Sequence, residues 1–219
     1  MLCYKRLKST FYTDTLLASV KSTRQNTWAQ LFISDKGFVA VYPMRLQSEF
    51  NKALHWFCKQ VGVASTLVMD RHKAQVKSKT RNFCNQVGTK FQKLDVGTPW
   101  SNQAEIYIGF IKEAVRKDMR SDSPLVLWDY FMERHALIHN AIPRNLFQTN
   151  GMSPHEATLG IEMDISNLCQ FVWFDWAYYK NPNSFPENKE LLGKVLGPIA
   201  NEGNEITQAI LTIKGTIVP

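Results

Sequence analysis

The sequence has little cysteine, four in 219 residues, and no C-x-x-C pair among Cys3, Cys58, Cys84 and Cys169. That scatter argues against both a secreted disulfide framework and a four-ligand zinc site. No apolar run approaches the roughly 20 residues that a membrane-spanning helix needs. The opening Met1-Leu2-Cys3-Tyr4-Lys5-Arg6 lacks the apolar stretch of a secretory signal. These absences point to a reducing intracellular compartment, cytosol or nucleus, and to no membrane partner. There is no internal repeat and no low-complexity tract. Histidine is scarce too: of five, only His135 and His139 share a helical spacing. No third ligand follows them at a familiar interval, so they read as packing or surface side chains.

What is present is an ordinary globular composition, 44% hydrophobic and 21% charged, with a formal net charge of +7. The length suits one good core, or one core plus a small appended domain. Excess Lys and Arg favours a polyanionic partner through phosphate contacts.

Residues 9–46 read as a β-meander. Phe11 to Ala18 is apolar on both faces, as in a central strand. Thr27–Ile33 is a second strand, Ser34-Asp35-Lys36-Gly37 a tight turn, and Phe38–Tyr42 a third strand stopped by Pro43. Gln47–Val61 is a helix with Phe50, Leu54, Phe57 and Cys58 on one face, closed by Gly62. Thr66–Met69 is a short buried strand ending at Asp70. Val76–Val87 is a helix, Lys90–Leu94 a fifth strand, and Ser101 an N-cap for a helix over Asn102 to about Arg120. Leu125–Ala141 is a further helix. The order predicts an α/β fold with a mixed five-stranded sheet flanked by helices. From about Pro154 the texture changes. Phe171–Trp176 and Leu191–Pro219 predict a small β-rich C-terminal domain, so the chain divides into a tail (1–8), a core (9–160) and an extension (161–219).

Three acids stand at awkward places. Asp14 lies inside a strand beside Tyr12, Leu16 and Ala18, where a carboxylate is costly unless neutralised. Asp70 ends a buried strand at its carboxyl edge, where open α/β sheets place ligands. Glu105 opens the long helix. If the first and fourth strands are neighbours, Asp14 and Asp70 approach, and two like charges there call for a divalent cation. Oxygen ligands with room for water suit Mg²⁺ or Mn²⁺, and a pair of such ions serves in-line phosphoryl transfer. Along the same helix Glu105, Gly109, Lys112 and Arg116 share one face, while Ala104, Ile108, Ile111, Val115 and Met119 form an apolar stripe. A carboxylate is thus followed by two cations at phosphate reach, although a solvated helix face reads the same way.

This arrangement resembles the retroviral-integrase superfamily, in particular integrases of long-terminal-repeat retrotransposons. The resemblance covers residues 9–160. It rests on Asp14, Asp70 after a meander and helix, and Glu105 another 35 positions on. The loop Thr98-Pro99-Trp100-Ser101-Asn102-Gln103-Ala104-Glu105 matches the family's segment before its glutamate. Asn140, in a loop after an amphipathic helix, and Met152-Ser153-Pro154-His155-Glu156-Ala157-Thr158-Leu159-Gly160 match its closing signature.

The resemblance implies a ribonuclease-H-like fold and two-metal chemistry that trims the element's DNA ends and joins them to target DNA. Asp14, Asp70 and Glu105 would hold the ions. Lys112 and Arg116 would contact element-end DNA, and Asn102 would orient Glu105 or touch a phosphate. A homo-oligomer on DNA, in the nucleus or in a cytoplasmic retroelement particle, is implied as well. Two departures stand out. Only 13 residues precede Asp14, where the family carries a zinc-binding module, so a fragment of a longer polyprotein or a degraded copy is expected. Arg71-His72-Lys73 replaces the usual Asn-Gly after the second acid. The alternatives are an inactive nucleic-acid-binding relic, a ribonuclease-H-type nuclease drawing a fourth acid from Asp118, Asp122 or Asp129, and a plain interaction module. Asp35 is the alternative first ligand, though its Asp-Lys-Gly setting suits a turn.

Overall fold

Strand β1 (Thr10–Leu17) sends Phe11 and Thr13 to one side of the sheet and Tyr12, Asp14 and Leu16 to the other. It is the middle of five strands. In this computed structural model, which describes residues 4–69, 78–93, 103–119, 122–143, 145, 149–180, 189–199 and 207–219, the order is β3-β2-β1-β4-β5. Strands β2 (Trp28–Ser34) and β3 (Val39–Met44) form an antiparallel meander with β1. Strands β4 (Thr66–Met69) and β5 (Lys90–Lys93) add in parallel on its other side. The sheet is therefore mixed, as expected.

Helix α1 (Phe50–Gln60), preceded by a 3₁₀ turn over Gln47–Glu49, and helix α2 (Ser78–Val87) cover the Phe11 face. Phe57 sits between Phe11 and Phe32, with ring centroids at 4.9 and 4.5 Å. Truncating a buried phenylalanine of this kind to alanine costs about 3–5 kcal/mol. The four α1 residues expected to face the core, Phe50, Leu54, Phe57 and Cys58, are all buried. Helix α3 (Gln103–Asp118) packs on β1 and β2, and helix α4 (Trp128–Ala141) on β3 and α3. Ile108, Ile111 and Met119 of the expected stripe are buried, while Val115 is half-buried. Asp35 occupies the β2–β3 turn, and Gly37 there takes a positive φ of 81°.

Three local expectations need correction. Pro43 does not stop β3. It pairs with Ala29 inside the strand, because β3 is the sheet's edge and its outer side needs no ladder N–H. Asn140 lies in the last turn of α4, not in a loop. Residues 171–175 are not strand, since β6 begins only at Trp176.

Helix α5 (Pro154–Leu159) shows what the closing motif does locally. The Ser153 hydroxyl accepts the Glu156 N–H at 3.1 Å, Pro154 fills the first turn, and Gly160 ends the helix in the left-handed region. These are helix start and stop rules written in sequence.

The chain separates into two compact units, Met1–Met163 and Asp164–Pro219. The second holds helix α6 (Ser166–Cys169) and an antiparallel sheet of β6 (Trp176–Lys180), β7 (Glu190–Pro198), β8 (Gln208–Thr212) and β9 (Ile217–Val218) in that order. Its small core gathers Ala177, Val195 and Ile210. Among the described residues, no helix is long and apolar enough to cross a membrane.

Candidate active site

Asp14 is 7% exposed, on a central strand and directly opposite Leu31. Its carboxylate Oδ1 accepts the Thr15 N–H at 2.7 Å. The strand is held from the other side of the sheet by a buried polar group. Gln30 Nε2 donates to the Asp14 carbonyl at 2.8 Å and to the Thr13 hydroxyl, and Gln30 Oε1 accepts the Thr15 hydroxyl at 2.9 Å. Gln30 thus brackets Asp14 by bonding the hydroxyls of Thr13 and Thr15, a role for Gln30 and for Thr13 alike. Sequence reasoning missed both. The signal was a lone amide inside the apolar run Ala29-Gln30-Leu31-Phe32-Ile33.

The β1–β4 pairing is parallel, and its last described pair is Thr13 with Met69. In the sequence, Asp14 follows Thr13 and Asp70 follows Met69. Asp70 itself, like Asn102, lies outside the described residues. Glu105 is exposed in the first turn of α3. Tyr107, two residues on, anchors that end of the helix. Its ring lies edge-on to His139 at 5.5 Å, and its hydroxyl crowds Gly37 so closely that a Cβ there would meet it at 2.6 Å. His139 Nε2 lies 2.9 Å from the Gly37 carbonyl, and His135 stacks on Phe131. His139 therefore joins α4 to α3 and to the β2–β3 turn, while the His135 stacking lies within α4.

Glu105, Gly109, Lys112 and Arg116 are all exposed, as one outward face of α3. Among the described residues, no three His, Cys, Asp or Glu side chains gather to hold a metal. Asp14 and Glu105 are hard oxygen donors of the type that Mg²⁺ and Mn²⁺ take.

The acids considered for a ribonuclease-type site divide differently. Asp129 is fully buried and bonded to Arg24 Nε at 2.8 Å and to Asn26 Nδ2 at 2.8 Å. Arg24 also reaches Glu133 at 2.6 Å and lies 4.0 Å over the Tyr130 ring. This cluster ties the β1–β2 connection to α4. Asp122 is exposed at a positive φ of 64°. The Asp118 side chain is not among those described.

No family model matches the chain, and no curated protein matches it. Solved structures do. One is a chain of the simian T-cell lymphotropic virus intasome, determined in complex with the PP2A regulatory subunit B56 gamma. It is 11% identical, with a TM-score of 0.56, over 95% of this chain and 74% of that one. Another is the HTLV-2 integrase catalytic core domain in complex with magnesium, in a trimeric form. It is 14% identical, with a TM-score of 0.52, over 68% of this chain and 94% of that one. The first unit therefore has the fold of a retroviral integrase catalytic core, a mixed five-stranded sheet with flanking helices, and an antiparallel sheet follows it.

Proposed function

We propose that the chain is an integrase-type polynucleotidyl transferase that processes the DNA ends of a retroelement and joins them to target DNA. The observation that carries this reading is the parallel register in which Thr13 pairs with Met69, one residue before each of two acids. The likeness of fold to integrases of two lymphotropic viruses supports it.

In this reading Asp14, Asp70 and Glu105 hold two divalent ions, Mg²⁺ or Mn²⁺. When bound, such ions activate the attacking oxygen and stabilise the leaving one in an in-line displacement. Asp14 contributes a buried carboxylate whose strand is locked by Gln30, so its position is fixed before substrate arrives. Glu105 contributes from an exposed helix turn anchored through Tyr107 and Gly37. Lys112 and Arg116, about two and three turns beyond Glu105 along the same exposed face, take phosphates of the element end, and Asn102 orients Glu105 or touches a phosphate. The chain works as a homo-oligomer on DNA, in the nucleus or in a retroelement particle, and derives from a long-terminal-repeat element.

The test is joining of a short labelled duplex to plasmid DNA in Mg²⁺ or Mn²⁺. The parent chain joins. Asp14→Asn, Asp70→Asn and Glu105→Gln each abolish joining while circular dichroism and duplex binding hold. A parent chain that binds duplex yet neither cuts nor joins it in either metal overturns the enzyme reading and leaves a binding relic.

A further inference from the structure

The net charge is not spread over the molecule. Residues 50–93 contain nine Lys and Arg and a single acid, Asp70, a net of +8, so all the other residues together net −1. The segment includes α1, β4, α2 and β5, whose two helices lie side by side; Asp70, Arg71, Lys73 and Lys77 lie outside the described residues, and the other six cations belong to these elements. Thr80 Oγ1 donates to Asn51 Oδ1 at 2.9 Å, and the His55 and Phe83 rings sit 4.0 Å apart. Lys52, Lys59, Lys79, Arg81 and Lys93 are exposed across this layer, and the exposed residues among them are largely amides such as Gln60, Asn82 and Asn85. Glu49, at the margin, reaches Lys52 only at 4.0 Å, an exposed contact of little worth.

The layer covers the Phe11 face of the sheet, whereas Asp14 points to the other face, where α3 packs. A duplex held here is therefore not the segment being cut or joined at Asp14.

We infer that the exposed face of α1 and α2 is a second docking surface, and that it takes the phosphate backbone of duplex DNA. Charge complementarity carries this: the face concentrates cations and amide donors, which are the groups that contact phosphates and sugars without reading bases. Single strands fit less well, because stacking platforms need several exposed aromatics and the two helices here expose only Trp56 among the described residues, with Lys59 Nζ 5.3 Å over its ring. A second copy packing this face on itself would set like charges together. The inference extends the DNA-joining reading but does not need the metal chemistry.

The experiment is fluorescence anisotropy of a labelled 30-base-pair duplex, about three helical turns, titrated with protein in EDTA at several KCl concentrations. Lys59→Gln/Lys79→Gln/Arg81→Gln should bind about tenfold or more weakly near 0.1 M salt, with a flatter dependence of log affinity on log salt, by up to about three units. Lys59→Arg/Lys79→Arg/Arg81→Lys should bind like the parent, which separates charge from shape and controls for folding. Asp14→Asn, silent here and dead in joining, separates this face from the catalytic reading. If the glutamine variant binds within about twofold of the parent with the same salt slope, the inference is overturned. It is equally overturned if the parent ignores the duplex and uses these residues to bind vesicles containing phosphatidylserine.

Discussion

The Asn140 side chain clamps the Val39 peptide from both ends. The Val39 N–H donates to Asn140 Oδ1 at 2.8 Å, and Asn140 Nδ2 donates to the Val39 carbonyl at 2.7 Å. Both residues are buried, so α4 is joined to the start of the edge strand β3 by two hydrogen bonds that water cannot replace. Asn140→Ala should leave a buried donor and a buried acceptor unpaired and cost about 2–4 kcal/mol in urea unfolding. Asn140→Asp keeps the acceptor, loses the donor and adds a buried charge, so it should not rescue. An alanine variant unfolding within about 0.5 kcal/mol of the parent would remove the clamp's importance.

Arg24 makes a comparable tie at the opposite end of α4. The Asp129 carboxylate it meets is fully buried, while the arginine side chain is a third exposed. Removing the arginine leaves the buried carboxylate without its cation, held by Asn26 Nδ2 and the Tyr130 N–H, so Arg24→Ala should destabilise by about 2–3 kcal/mol, below the full range for a completely buried pair. Arg24→Met/Asp129→Asn should cost less than the two single changes added together. A double-mutant cycle in denaturant measures this, and strict additivity would show that the pair is not coupled.

The two core thiols give a pH signature. Burial pushes the Cys58 thiol up to about 12, with Cys84 nearby adding to the rise, and burial pushes Cys84 up to about 11. Both line a small apolar void with Leu54, Phe57, Leu67 and Phe83. In Cys3→Ser/Cys169→Ser protein, a disulfide reagent at pH 8 should label neither thiol until the chain unfolds. The linkage has a definite sign. These thiols keep their protons in the folded state, so their contribution is complete below about pH 8.5, where an unfolded thiol ionises. It is lost as pH rises towards the folded values. Fast labelling of native protein at pH 8 would contradict this packing.

How much of this was legible in sequence follows from what each residue's signal depends on. The meander and β4 were readable as short apolar runs bounded by turn residues, and the buried face of α1 because burial imposes a period of 3.6 on a helix. Ser153, Pro154 and Gly160 were readable because caps obey local rules, and the motif that suggested a family turns out to be those rules in place. Pro43 misled because its tolerance depends on β3 being an edge, which only the strand order decides. Asn140 misled because its partner, Val39, lies 101 positions away. Phe171–Trp176 looked like strand from aromatic content, yet the regular ladder with β7 begins at Trp176, because Phe174 takes a positive φ of 63° that breaks the extended run before it. For the candidate site, Asp14 was found through its misfit on an apolar strand and Glu105 through its place at a helix start. What holds Asp14's strand, Gln30, was invisible because an amide in an apolar run carries no direction until the strands are paired.

Gln30 is therefore the sharpest test of whether the Asp14 region is built for chemistry or only for folding. It is fully buried, and its amide bonds the Asp14 carbonyl and the hydroxyls of Thr13 and Thr15 on either side. Gln30→Met preserves the volume but leaves those groups short of partners, at a cost of about 2–4 kcal/mol. A merely structural role predicts a lower melting temperature and unchanged metal dependence at temperatures where the variant is folded. As a positioning residue for Asp14 it should do more. Half-maximal joining should need several-fold more Mg²⁺, and Gln30→Glu should fail to restore it because the donor to the Asp14 carbonyl is gone. If the folded Gln30→Met protein joins DNA with the parent's Mg²⁺ requirement, Gln30 supports the sheet and nothing more, and Asp14 does not depend on it for its place.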